Sequence, residues 1–380
     1  MADFNIQRGV VEIASGATTA TITAGVDYTA PADASKAFVR ITATEIGNPF
    51  TGPTPINGAS DDWLTLVDIS SISTSVTFTR TDSTVDANRR PRIYWELIEY
   101  IGAPGGPNEF VVRGSGTTVI NNAAATATTS TISGVVSDAD IVPIITGANI
   151  ATGSFSTAFH AAVAEWDSGA DAITFRRGMT TYDCTIGWVA VEFVGSAWSV
   201  QFKEHAVSAA GTTTATLDSA VTVDKAFMFI QKRIAGSRTF TNSISALVWL
   251  SGSNEVSFST DANFATNTIT YRVWVVSNPN ISVQRISDSQ VTRSGEYTVS
   301  ISAATPSSAS VMEESSVYDR STDFAAPINI VGWRISSSTQ LTGYQRNSTA
   351  ATTITSRLAV VSWPTATASS ARFRPYFITG

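Results

Sequence analysis

Arg92-Ile93-Tyr94-Trp95-Glu96-Leu97-Ile98-Glu99-Tyr100 is an aromatic and apolar run that recurs three more times along the chain. The echoes are Thr185-Ile186-Gly187-Trp188-Val189-Ala190-Val191-Glu192-Phe193, Thr270-Tyr271-Arg272-Val273-Trp274-Val275-Val276 and Ser356-Arg357-Leu358-Ala359-Val360-Val361-Ser362-Trp363. Their ends fall about 85 to 95 residues apart, a period that fits a small all-β domain and not a solenoid unit. The chain therefore reads as all-β, with four tandem antiparallel β-sandwich-like repeats.

Working outward from each closing strand, a penultimate strand precedes it: Ser75-Val76-Thr77-Phe78-Thr79-Arg80, Ala172-Ile173-Thr174-Phe175-Arg176-Arg177 and Glu255-Val256-Ser257-Phe258-Ser259-Thr260. Strict alternation puts Val76/Phe78, Ile173/Phe175 and Val256/Phe258 on one face, and that face is expected to be core. The fourth copy has a degraded version, Gln340-Leu341-Thr342-Gly343-Tyr344. Each repeat opens on a short alternating strand, such as Phe4-Asn5-Ile6-Gln7-Arg8-Gly9 or Ile281-Ser282-Val283-Gln284-Arg285-Ile286. A Thr/Ser-rich strand follows, as in Thr212-Thr213-Thr214-Ala215-Thr216-Leu217, where β-branched Thr suits a pleat with one wet face. Lys36-Ala37-Phe38-Val39-Arg40-Ile41 is echoed by Lys225-Ala226-Phe227-Met228-Phe229-Ile230 and ties the first copy to the third.

The joints are short and rich in turn formers: Gly102-Ala103-Pro104-Gly105-Gly106-Pro107-Asn108, Gly195-Ser196-Ala197 and Asn278-Pro279-Asn280. They place repeat 1 over residues 1–103, repeat 2 over 104–195, repeat 3 over 196–279, and repeat 4 with a C-terminal tail over 280–380. Successive repeats are expected to be held in fixed relation. Ser156 to Trp166 has a helical composition but fills the slot of a strand in the other copies, and strand is the reading. Residues 47–56 read as a loop peculiar to the first copy, and the aromatic, basic tail 371–378 as a segment that docks on a neighbour.

Only 14% of residues are charged, against roughly 25% in ordinary soluble domains. Such a neutral hydroxyl and amide surface favours association, so a subunit packed against copies of itself or other proteins is expected. The net charge of −7, with no Lys/Arg stripe, argues against nucleic-acid binding. Lysine occurs only at 36, 203, 225 and 232, a bias toward Arg that suits planar bidentate pairing at protein interfaces and that a GC-rich genome would equally give, the genomic explanation being the reading. The single cysteine, Cys184, rules out an intrachain disulfide. Met1-Ala2-Asp3-Phe4-Asn5 lacks the basic and apolar regions of a secretory signal, so a protein made in a cytoplasm is expected. No apolar run reaches the ~18 residues of a helical membrane span, so no membrane insertion is expected.

Catalytic chemistry is sparse. The two histidines, His160 and His205, lie in different copies, and neither neighbours a nucleophile elbow. Asp61-Asp62, Asp138/Asp140 and Glu313-Glu314 are carboxylate pairs that a glycosidase or a Ca²⁺ loop could use, and they read as solvated loop acids. No catalytic residue, metal ligand or cofactor is assigned. Trp63, Trp166, Trp249 and Trp333 occupy comparable mid-repeat positions, where Trp is ordinarily core or inter-domain packing. An adhesin would need an accessible ring to stack on a sugar, and Trp249 and Trp333 are the binding candidates.

The run Gln201 to Val276 joins a Thr-rich second strand, a Lys-Ala-Phe strand, a Val-x-Phe strand and an aromatic-Val-Val closing strand. In this pattern it resembles the repeated β-sandwich modules of structural proteins in tailed bacteriophage virions. It is also similar to the H-type lectin module, a six-stranded antiparallel sandwich that forms trimers and binds sugars at subunit boundaries. The resemblance implies a non-enzymatic virion protein located in the particle. A trimeric tail fibre or host-binding spike leads, with a capsid-decorating or tail-shell subunit beside it. The partners it implies are copies of the chain, other virion proteins and a host surface glycan. The competing class is a cell-surface lectin or glycan-degrading enzyme.

Overall fold

A computed structural model describes residues 3–14, 16–47, 65–80, 90–150, 162–178, 180, 182–234, 246–260, 268–292, 294–319, 331–346 and 352–364. Among them there is no α-helix, only strands and short 3-10 turns. Lobe 1 is built from β1 (Phe4–Glu12), β2 (Thr19–Thr23), β3 (Ala37–Gly47), β4 (Thr65–Asp68), β5 (Ser75–Arg80) and β6 (Arg90–Tyr100). Lobe 2 follows as β7 (Val111–Ile120), β8 (Thr126–Thr128), β9 (Ile141–Ile150), β10 (Ala162–Asp167), β11 (Ala172–Arg177) and β12 (Cys184–Glu192). In lobe 3 they are β13 (Ser199–Val207), β14 (Gly211–Thr216), β15 (Ala226–Ile234), β16 (Leu247–Gly252), β17 (Glu255–Thr260) and β18 (Ile269–Ser277). Lobe 4 has β19 (Ser282–Thr292), β20 (Ser294–Ser300), β21 (Ala309–Asp319), β22 (Val331–Ser337), β23 (Gln340–Arg346) and β24 (Thr352–Ser362).

Every lobe repeats one topology. The first, sixth and third strands form one antiparallel sheet with the closing strand in its centre, as in β1-β6-β3. The second, fifth and fourth form the other, as in β2-β5-β4. The central position explains the apolar run that marks each closing strand, because both of its faces are covered. Its inner face meets the second sheet of the same lobe, where Phe78, Phe175 and Phe258 are all fully buried. The outer face of the second sheet is wet along its second strand, and there the Thr/Ser strands pair hydroxyl to hydroxyl. Thr21 meets Thr77 at 3.3 Å, Thr128 meets Thr174 at 3.0 Å and Thr212 meets Ser259 at 3.0 Å.

The segment after the second strand is fastened by the opening strand. Gln7 holds Thr29 by both its amide groups (Nε2 to O 2.8 Å, N to Oε1 2.7 Å). Gln201 holds Ser219 in the same way, and Gln284 donates to Ser302 O. In lobe 2 the register slips between Ala190 and Val191. There Glu192 takes over, accepting from the backbone of Val136 and Ser137 and from Arg113.

The lobes close into a ring, which a reading of the chain as a string of repeats does not anticipate. Each lobe lays its fourth strand and its 3-10 turn on the outer face of the next lobe's closing-strand sheet. Thus β4 packs on β9 and β12, β10 on β15, and β16 on β21 and β24, with β22 returning to β3. The 3-10 turns follow the same order. Ala34–Lys36 meets β7, Asp138–Asp140 meets β13, Val223–Lys225 meets β19, and Pro306–Ser308 comes back to β1. The opening and closing strands of all lobes converge on one aromatic centre. Phe4 stacks on Trp363 at 4.9 Å, Trp363 meets Phe227 at 5.5 Å and Trp198 at 6.3 Å, and Trp198 meets Phe193 at 5.0 Å. Beside it the joints are tied by amides, with Asn278 and Asn280 both donating to Asn108 Oδ1 and Asn108 donating to Asp3.

Candidate functional site: the interfaces between lobes

Register aligns the four interfaces residue by residue. The outward position of the fourth strand is Asp68, Glu165, Trp249 and Arg334, opposite Thr77, Thr174, Ser257 and Thr342 of the fifth strand. In the last three it faces the same position of the next lobe's closing strand, Arg272, Arg357 and Tyr94 in turn, while at the first interface that position is Gly187, which faces Val67 O and Leu66 Cβ. The chemistry differs at every one. Lobes 1 and 2 meet backbone to glycine, and a Cβ on Gly187 would stand 2.8 Å from Val67 O. Thr146 Oγ1 donates to that same carbonyl at 2.8 Å.

Lobes 2 and 3 meet through charge and amides. Arg272 Nη2 lies 3.3 Å from Glu165 Oε2, its Nη1 donates to Ala164 O at 3.0 Å, and Gln231 bridges Ala164 N and Pro143 O at 2.6 Å each. The hydrogen bond from Arg176, followed by the charges of Arg272 and Arg176, holds the Glu165 carboxyl below its ordinary range against the opposing effect of burial. Lobes 3 and 4 use Arg357 over the Trp249 ring at 5.2 Å. Lobes 4 and 1 reverse the roles, with Arg334 over Tyr94 at 4.3 Å.

A second set of contacts caps the 3-10 turns. Arg285 donates to Val223 O and Ala226 O, and its equivalent Arg8 donates to Pro306 O and Ala309 O. Arg80 and Arg177, buried at the end of the fifth strand, close the turn after the opening strand by donating to Ala17 O and Ala14 O, and to Ala124 O and Asn121 O. Planar multi-donor capping of carbonyls is an arginine task that lysine does poorly. The sequence raised an interface role for arginine but ranked it below a genomic bias, and assigned it to no residue. The recurring signal was there in the Gln-Arg pairs 7/8 and 284/285.

The tryptophans do not share one position, contrary to the sequence reading. Trp166 lies opposite Ile173, Trp249 opposite Ser257 and Trp333 opposite Gly343, which are three different places in the lobe. Trp63 falls outside the described residues, as do Asp61, Asp62, His160, residues 48–56 and the tail 371–378. Trp333 is 1% exposed inside lobe 4, edge-on to Tyr297 at 5.1 Å, so its ring is not available to stack on a ligand. Trp249 is half-buried and covered by Arg357 of the next lobe. Trp166 packs against the lobe 2 core and donates to Asp138 Oδ1 at 2.7 Å, which makes Asp138 a clasp for the 3-10 turn.

No family model, curated protein or solved structure matches this chain. Its own geometry is therefore the guide to its chemistry. Among the described residues no group of three or more His, Cys, Asp or Glu side chains is arranged to hold a metal ion. His205 is structural: its ring stacks on Phe258 at 4.4 Å and its Nε2 lies 2.9 Å from Thr213 Oγ1. Burial lowers its pKa below the ordinary 6.5. The fold therefore favours the neutral ring, and its contribution is complete above 6.5 and is lost as the pH falls toward the folded value. His205→Phe should flatten the acid side of the stability curve relative to the parent. Parallel curves from thermal melts across that range would count against the assignment.

Cys184 is fully buried, and burial pushes its thiol up to about 11. It should react with a water-soluble disulfide reagent only in denaturant, and prompt labelling of the native protein would contradict the packing.

Proposed function

We propose that this protein is a non-enzymatic structural subunit of a tailed-bacteriophage particle, with a capsid-decorating or shell-type place in it. The observation that carries this reading is ring closure. Four lobes joined head to tail into a ring add outward faces but little reach, whereas a tail fibre gains from lobes strung end to end. The neutral hydroxyl ladders on the outer sheets support the same reading, because paired hydroxyls cost less to desolvate than charged groups and sparse charge favours association. Burial of Trp333 and the covering of Trp249 support a part built for assembly. Self-association, with three copies the expected number, belongs to this reading and is checked by sedimentation. A stable monomer at micromolar concentration without a partner in the particle would weaken it.

Purified particles supply the decisive test. Mass spectrometry should find the chain in them, and labelled electron microscopy should place it at many regular positions on the shell. Location only at the fibre tip would favour the host-binding spike, and absence from particles would remove both. A second reading, a lectin for a host surface glycan, is favoured by the six-stranded antiparallel lobes and is tested on a glycan array. Any detectable glycan hydrolysis would overturn the non-enzymatic assignment.

A further inference from the structure

Three of the four interfaces join lobes already tethered by a short joint. The fourth, lobe 4 on lobe 1, brings the two ends of the described chain together, where Asp3 N donates to Pro364 O at 3.3 Å. This seam contains a charge arrangement that the equivalent positions of the interface between lobes 3 and 4 lack. Glu96 is 1% exposed and lies between two guanidinium groups, with Arg8 Nε 2.8 Å from Oε1 and Arg40 Nε 3.6 Å from Oε2. All three residues belong to lobe 1, on the outer face of its closing-strand sheet. Both cations nevertheless donate into lobe 4, Arg8 to Pro306 O and Ala309 O, and Arg40 to Val311 O and Met312 Sδ. Where lobe 4 faces lobe 3, the corresponding positions are Arg285, Met312 and Ala359, one cation and no carboxylate.

We propose that Glu96 with Arg8 and Arg40 is an electrostatic latch that sets whether the ring is closed or open at this seam, without altering the fold of either lobe. With the seam open, both guanidinium groups are hydrated and lobe 1 needs no carboxylate between them. With the seam closed they lose water, and a single anion together with the lobe 4 carbonyls must compensate for two cations. Burying such a set is unfavourable unless every member is matched, and removing one partner strands the others. Because the stranding happens only in the closed state, the effect of Glu96 falls on the seam. Opening separates Phe4 from Trp363 and uncovers the outer face of lobe 1.

The test uses the full chain and three measurements: small-angle scattering, far-ultraviolet circular dichroism, and hydrogen exchange resolved by lobe. Glu96→Gln should raise the open fraction by roughly two to three orders of magnitude. That appears as a larger radius of gyration and faster exchange at the seam, while strand content and exchange within the lobe 1 core stay at parental levels. The triple variant Arg8→Met, Arg40→Met, Glu96→Leu removes the charges together and should recover most of the compact ring, short of the hydrogen bonds that the two arginines give to the lobe 4 carbonyls. A Glu96→Gln chain as compact as the parent would overturn the latch, as would one that loses the lobe 1 core. A triple variant as open as Glu96→Gln would also overturn it, by tracing closure to the arginine hydrogen bonds into lobe 4 and to side-chain shape, not to charge balance.

Discussion

The double variant Trp333→Val, Gly343→Phe should be far more stable than the two single variants predict. In lobes 1, 2 and 3 the fifth-strand phenylalanine faces a small residue on the fourth strand: Val67 opposite Phe78, Ala164 opposite Phe175, and Val248 opposite Phe258. Lobe 4 exchanges the sizes, with Trp333 opposite Gly343. A Cβ on Gly343 would stand 2.7 Å from the Tyr297 ring and 2.9 Å from the Trp333 ring, so the indole occupies the volume a phenylalanine fills elsewhere. Trp333→Val alone leaves a cavity and should cost lobe 4 about 3–5 kcal/mol. Gly343→Phe alone overpacks and should cost about 3 kcal/mol. Together they rebuild the arrangement of the other lobes and should recover most of both losses, a coupling of at least about 2 kcal/mol. Denaturant melts followed by exchange in β22 and β23 give the cycle, and additive costs would dismiss the size exchange.

Gly187→Leu should be strongly damaging at the interface between lobes 1 and 2. Its Cβ would lie 2.6 Å from Thr146 Oγ1 and 2.8 Å from Val67 O, the two ends of the hydrogen bond that joins lobes 2 and 1. Neither lies at the end of a flexible side chain, so the lobes must part or the hydrogen bond must break. A cost of about 3 kcal/mol is expected from overpacking, with faster exchange in β4 and β9. Gly252→Ala, where an added Cβ meets nothing within 4 Å, serves as the control and should be nearly silent. Equal effects from the two would mean that close approach is not what glycine provides at 187.

The fold class was legible because each closing strand is the middle strand of its sheet and is covered on both faces. A continuous apolar and aromatic run is the sequence trace of that position. Alternation likewise gave the buried faces of Phe78, Phe175 and Phe258. The strand at Gln340 to Tyr344 looked degraded because its phenylalanine had moved, as tryptophan, to the neighbouring strand, and a pattern read along one strand cannot see volume shared between two. Ring closure left no local trace. It rests on single positions more than a whole repeat apart, such as Glu165 with Arg272 or Arg334 with Tyr94, whose partnership depends on the placement of whole lobes. The two tryptophans singled out for ligand stacking were misplaced for the same reason: a spacing of about one repeat looked like equivalence, while register assigns Trp249 to an interface and Trp333 to a core.

A symmetric assembly of four identical subunits would have to solve its contact once and use that solution four times. One encoded residue would then serve both a glycine approach and an arginine stack. Fusing the four lobes into one chain lifts that constraint, and the four interface pairs here are all different. The sequence can therefore change at one interface without disturbing the other three, and a lobe transplanted out of order would meet the wrong partner. This chain therefore records the order of its lobes twice, in the peptide bonds and in the side chains that recognise the next lobe.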